Sequence, residues 1–257
     1  MHINDFKTRV MATFRLDLHS YKEKQLQRRL DSYLNRLKLK NYEELFNQLT
    51  KEKDCYEKFL DFLTINVSEF FRDPQRFVEL KEKYLPQLFK GRHPVKIWSA
   101  ACSNGSEPYS IAIILEELGL SSRSSIHATD IDRTILNKAM EARYGHDSLK
   151  NVSEERINRF FIKQGDLYLL KDTIKKKVFY RYHNLLNNDY QKSYDLIVCR
   201  NVTIYFTREA QDEIHKKFNK SLNPGGVLFI GGSEMLFNYR ELGFEKLSPC
   251  FYRKLNF

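Results

Sequence analysis

Glu107, Asp130, Asn184 and the pair Arg200-Asn201 are polar residues that each follow a short apolar run. Glu107 comes after "VKIWSA" and a loop of small residues, Ser99 to Ser106, in which Gly105 is the single glycine. A pyrophosphate-binding turn would show several glycines and leave the amides of the following helix bare. Here a carboxylate enters the first turn instead, with Ser106 as the expected N-cap and Pro108 beside Glu107. Such a carboxylate suits a ligand that carries positive charge, an ammonium or a sulfonium. The alternative is that Glu107 only complements the helix dipole.

Asp130 ends "SSIHATD", 25 positions beyond Gly105, where an acid can grip ribose hydroxyls. Asp132 fits better as the cap of the next helix, which leaves Asp130 free. Asn184, after "FYRYH", can both donate and accept, as the edge of an adenine requires; a turn asparagine is the alternative. Arg200 and Asn201 leave "YDLIVC" toward the same sheet edge. Glu107 and Asp130 together favour an adenosyl-type cofactor.

These residues need a scaffold that brings four strand ends to one edge. "VKIWSA", "SSIHATDI", "YDLIVCRN" and "GGVLFIGG" alternate with helical patterns such as "EPYSIAIILEEL" and "REAQDEIHKKFNKSL". Alternation of this kind predicts a parallel α/β sheet. Residues 1–64 read as all-helical instead. Leu26, Leu30, Tyr33, Leu34 and Leu37 form one stripe, and Lys24, Arg28 and Asn35 project from the opposite face. Residues 65–257 form the α/β domain, interrupted at about 144–183 by a more polar stretch expected to hold short antiparallel strands. That stretch carries nine basic and five acidic residues.

The chain has 257 residues and a formal net charge of +10, so an acidic partner surface is expected. Its four cysteines are dispersed and form no C-x-x-C pair, which speaks against zinc and against a disulfide framework. Neither an apolar signal core nor a run long enough to span a bilayer is present. The expectation is a cytoplasmic protein with no metal and no membrane insertion.

The segments "NVSEFFRD", "WSAACSNGSEPYSIA", "ATDID", "NLL", "VCRNVTIYF" and "LNPGGVLFIGGSE", in this order behind a basic helical N-terminus, resemble the CheR family of chemotaxis receptor methyltransferases. The resemblance runs essentially the full length. It implies a Rossmann-like S-adenosylmethionine-dependent methyltransferase domain with an inserted β-subdomain, behind an all-α receptor-recognition domain. The implied reaction methylates glutamate side chains of chemoreceptors and releases S-adenosylhomocysteine. Asn66, Ser68 and Arg72 would then belong to the linker that closes over the cofactor. Glu107 would hold its methionine end and Asp130 its ribose, Asn184 and Leu185 would line the adenine, and Arg200 and Asn201 would complete the pocket. Arg72 and Tyr205 would lie nearest the methyl group.

The implied partner is the acidic helical methylation region of transmembrane chemoreceptors, for which Lys24, Arg28 and Arg29 are the candidate contacts. Two departures from the family pattern stand out: Ser106 before Glu107, and Gly231-Gly232-Ser233-Glu234 where "GHSE" is common. Neither is expected to touch an assigned role. A nucleic-acid methyltransferase is the first competing reading, but Arg200-Asn201-Val202-Thr203 replaces the usual N/D-P-P-Y/F loop and no aromatic-and-basic platform is evident. Another protein methyltransferase, or a catalytically inactive receptor adaptor, is the remaining alternative.

Overall fold

The computed structural model describes residues 1–91 and 94–255. Helices α1 (Ile3–Phe14), α2 (Glu23–Leu37), α3 (Tyr42–Lys51) and α4 (Lys53–Leu63) pack as one unit. Asn41 starts α3 by accepting from the Glu44 amide at 3.0 Å, while the Glu44 carboxylate accepts from the Lys40 amide at 2.9 Å. Phe6, Val10, Leu26, Leu30, Leu45 and Phe59 fill the centre. The predicted stripe on α2 is buried from Leu26 to Leu34 and half-buried at Leu37. Lys24, Arg28 and Asn35 lie on its exposed side.

A linker leads to α5 (Pro74–Glu79), a π-helical turn at Leu80–Tyr84, and α6 (Leu85–Phe89). The α/β domain then runs β1 (Val95–Ala100), α7 (Ser106–Glu117), β2 (Ser124–Asp130), α8 (Arg133–Glu141), β3 (Arg143–Gly145), α9 (Glu154–Phe160), β4 (Phe161–Gln164), β5 (Leu167–Leu170), α10 (Asp172–Lys175), β6 (Val178–Tyr182), β7 (Tyr194–Cys199), α11 (Arg208–Ser221), β8 (Leu222–Ile230), β9 (Phe244–Ser248) and β10 (Phe251–Lys254).

The main sheet has seven strands in the order β6-β2-β1-β7-β8-β10-β9. Its first five are parallel, and β10 runs antiparallel between β8 and β9. β1 and β7 lie at the centre and are buried on both faces, which explains why they are mostly apolar, with Lys96 and Asp195 confined to their starts. The chain winds outward from β1 to β6 and then returns to β7. A crevice therefore opens between the C-terminal ends of β1 and β7, where α/β sheets bind ligands.

The insertion is shorter than its composition suggests. Its three-stranded antiparallel sheet, β3-β5-β4, ends at Leu170. The last part of the expected 144–183 stretch is β6, which pairs parallel to β2 as an edge of the main sheet. An edge strand has one exposed side, so "VFYRY" reads as mixed polarity and mimics a small hairpin. Among the described residues no helix is long and apolar enough to cross a membrane.

Candidate active site

A cavity lies over the C-terminal ends of β1, β2, β6 and β7, and the helical N-terminal unit forms its far wall. Asn66, Ser68, Arg72, Glu107, Asp130, Asn184, Leu185, Arg200, Asn201 and Tyr205 all line it. The fold thus gathers every cofactor and catalytic candidate into one space. Lys24 and Arg28 lie elsewhere, along an exposed groove with Gln27 and Asp31 on α2. Arg29 differs from these two: it turns inward, lines the cavity and donates from Nη2 to the Phe62 carbonyl. Its position three residues after Leu26 was the available signal, because i and i+3 share a helix face.

The loop after β1 makes its turn with left-handed residues at Ala101, Ser103 and Gly105. The cap of α7 is Gly105, with φ +83°, rather than Ser106, whose hydroxyl donates to Asn104 Oδ1 at 2.8 Å. A Cβ at Gly105 would also lie 2.5 Å from the Tyr180 hydroxyl. The glycine is therefore required by packing against β6 as well as by its backbone angle.

Glu107 accepts from the Ser99 hydroxyl at 2.8 Å, and Arg200 Nη1 stands 3.6 Å from its other oxygen. Burial pushes the Glu107 carboxyl above the usual range, against the pull of Arg200 and Ser99. Arg200 is buried and also grips Asp73 Oδ2 at 2.6 Å and the Arg72 carbonyl at 2.9 Å. Its charge is thus shared by two carboxylates. The Arg72 guanidinium lines the same cavity and has no hydrogen-bond or ion-pair partner among the described residues. An anionic group and an uncommitted cation side by side suit a ligand with an amino-acid end.

Asp130 is fixed by the Ser103 amide at 2.9 Å and the Asp132 amide at 3.0 Å. Burial pushes its carboxyl up to about 6 in spite of these two bonds. Each oxygen keeps capacity to accept a hydroxyl. Asp132 caps α8 through the Thr134 and Ile135 amides, as expected from sequence. It also receives Asn66 Nδ2 at 2.8 Å, so Asn66 pins the linker onto α8.

Asn184 is more committed than an adenine-reading role requires. Its Oδ1 accepts from the Leu186 amide at 2.9 Å, and its Nδ2 faces the Arg15 carbonyl at 3.5 Å. It shapes the 184–188 turn, while Leu185 and Ile131 supply apolar lining.

Two features had no sequence signal. The first is the pairing of residues 20–22 with 205–207. The Lys22 amide donates to the Tyr205 carbonyl at 2.9 Å and the Thr207 amide to the Ser20 carbonyl at 2.8 Å. The Tyr21 ring stands edge-on to Phe206 at 4.9 Å. This ladder brings the start of α2 across Tyr205.

The second is Glu234, whose carboxylate accepts from the amides of Gly231, Asn201, Val202 and Thr203 and from the Thr203 hydroxyl. Glu234, a residue that matches the family pattern, thus fixes the backbone at Asn201. At Gly232, where the family pattern differs, an added Cβ meets nothing within 4 Å, so that departure costs no contact.

Charged ligand groups can be held at Glu107 and Arg72, a diol at Asp130, and a flat apolar base beside Leu185. No cluster of three or more His, Cys, Asp and Glu suited to a metal ion occurs among the described residues. Strand order 3-2-1-4-5-7-6 within the main sheet, a lone antiparallel strand near one edge and this cavity define a Rossmann-like S-adenosylmethionine-dependent methyltransferase.

The chain belongs to the CheR methyltransferase family: residues 66–249 match its S-adenosylmethionine-binding domain and residues 1–64 its all-alpha domain. It is 40% identical over 240 residues to the chemotaxis protein methyltransferase of Listeria monocytogenes, covering 93% of this chain and 92% of that one. Identity to the chemotaxis protein methyltransferase of Borreliella burgdorferi is 33% over 259 residues, with 95% and 91% covered. Identity to chemotaxis protein methyltransferase 1 of Vibrio cholerae is 35% over 218 residues, with 81% and 79% covered.

Asp130 gives a testable pH dependence. Because its folded pKa is raised, its contribution to stability is complete below the unfolded value near 3.8 and is lost as pH rises through about 6. Ligand binding runs the other way, since ribose hydroxyls need the carboxylate as acceptor. Affinity for S-adenosylhomocysteine is expected to weaken as pH falls from 7.5 to 5, by up to about tenfold for this one group. Calorimetric titration of Asp130→Asn should show weaker binding with a flatter profile. An unchanged profile in that variant would assign the pH dependence elsewhere.

Proposed function

We propose that the chain transfers the methyl group of S-adenosylmethionine to glutamate side chains of chemoreceptors, forming methyl esters in a cytoplasmic adaptation reaction. The observation that carries this reading is the composition of the cavity. An anionic pair for the cofactor, Glu107 and Asp130, shares the cavity with the Arg72 guanidinium and the Tyr205 phenol, neither of which has a hydrogen-bond partner among the described residues, under a wall built by the basic N-terminal unit. The names of the relatives, all chemotaxis protein methyltransferases, support the same reading.

When bound, S-adenosylmethionine would supply a sulfonium methyl group whose carbon an ionised carboxylate can attack, the S–C bond breaking and S-adenosylhomocysteine leaving. A glutamate acceptor has an ordinary pKa of about 4.3 and is ionised at neutral pH, so the site needs no general base. The residues present fit that requirement. Arg72 offers a planar, two-pronged donor for a carboxylate. Tyr205, on the 3-10 turn Thr203–Tyr205, offers a second donor from the opposite chain segment. Alignment of the acceptor by these two donors can supply several kcal/mol of barrier lowering. Cys102 also lines the cavity, but burial pushes its thiol up, so it stays protonated and takes no part as a nucleophile.

The exposed Lys24 and Arg28 offer a positive face for an acidic helical bundle. Reversing both charges is expected to slow receptor methylation by about tenfold at low ionic strength, with affinity for S-adenosylhomocysteine unchanged. Methylation rates measured across a salt series check this, and rates equal to wild type at low salt would remove these residues from the docking face.

The reaction itself is tested with methyl-labelled S-adenosylmethionine and receptor-containing membranes. Label released from the receptor as methanol by mild base is the expected result. Label in nucleic acid would overturn the reading. Cofactor binding without label in any acceptor would favour an inactive adaptor.

A further inference from the structure

Arg72 sits between two non-glycine residues in the left-handed region, Phe71 with φ +52° and Asp73 with φ +59°. Strained backbone of this kind persists only where its surroundings impose it. On the Asp73 side the cause is Arg200, which holds both the Asp73 carboxylate and the Arg72 carbonyl. On the Phe71 side the cause lies partly in the inserted subdomain. The Phe71 amide donates to Ser110 Oγ at 2.9 Å, and its fully buried ring is covered by the Arg156 guanidinium, whose Cζ is 4.3 Å from the ring centroid.

Arg156 cannot shift freely over that ring. Its Nε and Nη2 donate to the two oxygens of Glu117 at 2.6 and 2.9 Å, and Lys81 holds the same carboxylate at 2.8 Å. Burial raises the Glu117 carboxyl, but its bonds to Arg156 and Lys81 outweigh this and keep it below the usual range. The carboxylate is thus ionised and the fork intact at neutral pH. The preceding residues are held by the insertion too. The Phe70 amide donates to the Ser148 carbonyl at 2.9 Å, Asn151 and Lys150 grip Glu69, and the Phe70 ring stands edge-on to Tyr144 at 4.8 Å.

We infer that Arg156 is a positioning residue for methyl transfer, acting through the Phe71 ring to fix the backbone that aims Arg72 into the cavity. The inserted subdomain is then a brace for the reaction site. A lysine at this position keeps the charge but loses the fork to Glu117 and the planar face over Phe71. The inference rests on the proposed role of Arg72 beside the acceptor carboxylate.

The test uses the full chain, receptor-containing membranes and saturating labelled S-adenosylmethionine. Arg156→Gln is expected to lower turnover by about tenfold, a larger change than any loss of affinity for S-adenosylhomocysteine. The decisive readout is a double-mutant cycle with Arg72→Lys. If Arg156 acts through Arg72, Arg156→Gln adds less than about twofold to the Arg72→Lys loss.

Multiplicative losses, or wild-type turnover in Arg156→Gln, overturn the inference while leaving the role of Arg72 intact. Wild-type turnover in Arg72→Lys overturns that role instead, and the inference with it. Arg156→Lys is carried through the same cycle, so a misfolded Gln variant does not leave the question open.

Discussion

An Arg200→Ala variant is expected to lose about 3–5 kcal/mol of stability, because it strips a buried carboxylate of its countercharge. The Arg200 side chain is 2% exposed and that of Glu107 is 12% exposed, so water cannot replace the guanidinium. Removal also releases Asp73 and the Arg72 carbonyl and leaves space against Phe77 and Phe229, which now contact the guanidinium face. For a chain of this size the loss corresponds to a fall in thermal midpoint of roughly 6–20 °C. Affinity for S-adenosylhomocysteine should collapse as well, since Glu107 would then be driven to its neutral form and offer nothing to an ammonium.

Arg200→Lys should recover only part of either loss, because one ammonium cannot bridge Glu107, Asp73 and a carbonyl in the same geometry. Urea denaturation and calorimetric titration check both effects. A loss under about 1 kcal/mol in the alanine variant would mean that the carboxylates rearrange to water more easily than their burial implies.

Glu234→Gln is the second large effect, expected at about 2–4 kcal/mol with near-complete loss of turnover. The substitution preserves shape, so packing is not the cause. The carboxylate now takes four backbone amides and one hydroxyl, at 2.7 to 3.0 Å. A carboxamide turns an N–H2 group toward donors and leaves at least one buried amide unpaired. The donors come from the ends of two neighbouring strands, so the loss frees the 201–203 loop, where Asn201 holds φ +60°. Tyr205 follows directly on that loop.

The measurement is denaturant stability together with kcat and KM for the receptor. Expected is a fall in kcat that exceeds the change in cofactor affinity. Wild-type kcat in a folded Gln variant would show that the loop holds its geometry without the charge.

Much of the site was legible in the sequence because strand ends are local events. A run of apolar residues followed by a polar one marks where a strand leaves the sheet, and in a parallel sheet those ends share an edge. Glu107, Asp130 and Arg200 were found this way. The Asp130 and Asp132 roles separated as expected, because a cap is defined by its distance from the helix start. Local pattern failed where two assignments share a signature. Ser106 looked like a cap, but the left-handed turn gave that place to Gly105. β6 looked like part of the insertion, because a half-exposed edge strand has the polarity of a hairpin. Arg29 was grouped with Arg28, although a step of about 100° around the helix carries it from the outer face to the cavity.

What the sequence determined by itself was the α/β alternation behind a helical unit, the family, the cofactor class and the polar residues at each strand end. All of these depend on neighbours within a few turns or one strand length. Only the tertiary structure decided that residues 20–22 pair with 205–207, that Glu234 ties down the loop after β7, and that Arg156 covers Phe71. These contacts join residues 31 to 187 positions apart in the chain. They carry no periodicity, so nothing short of the packed chain could reveal which donor meets which acceptor.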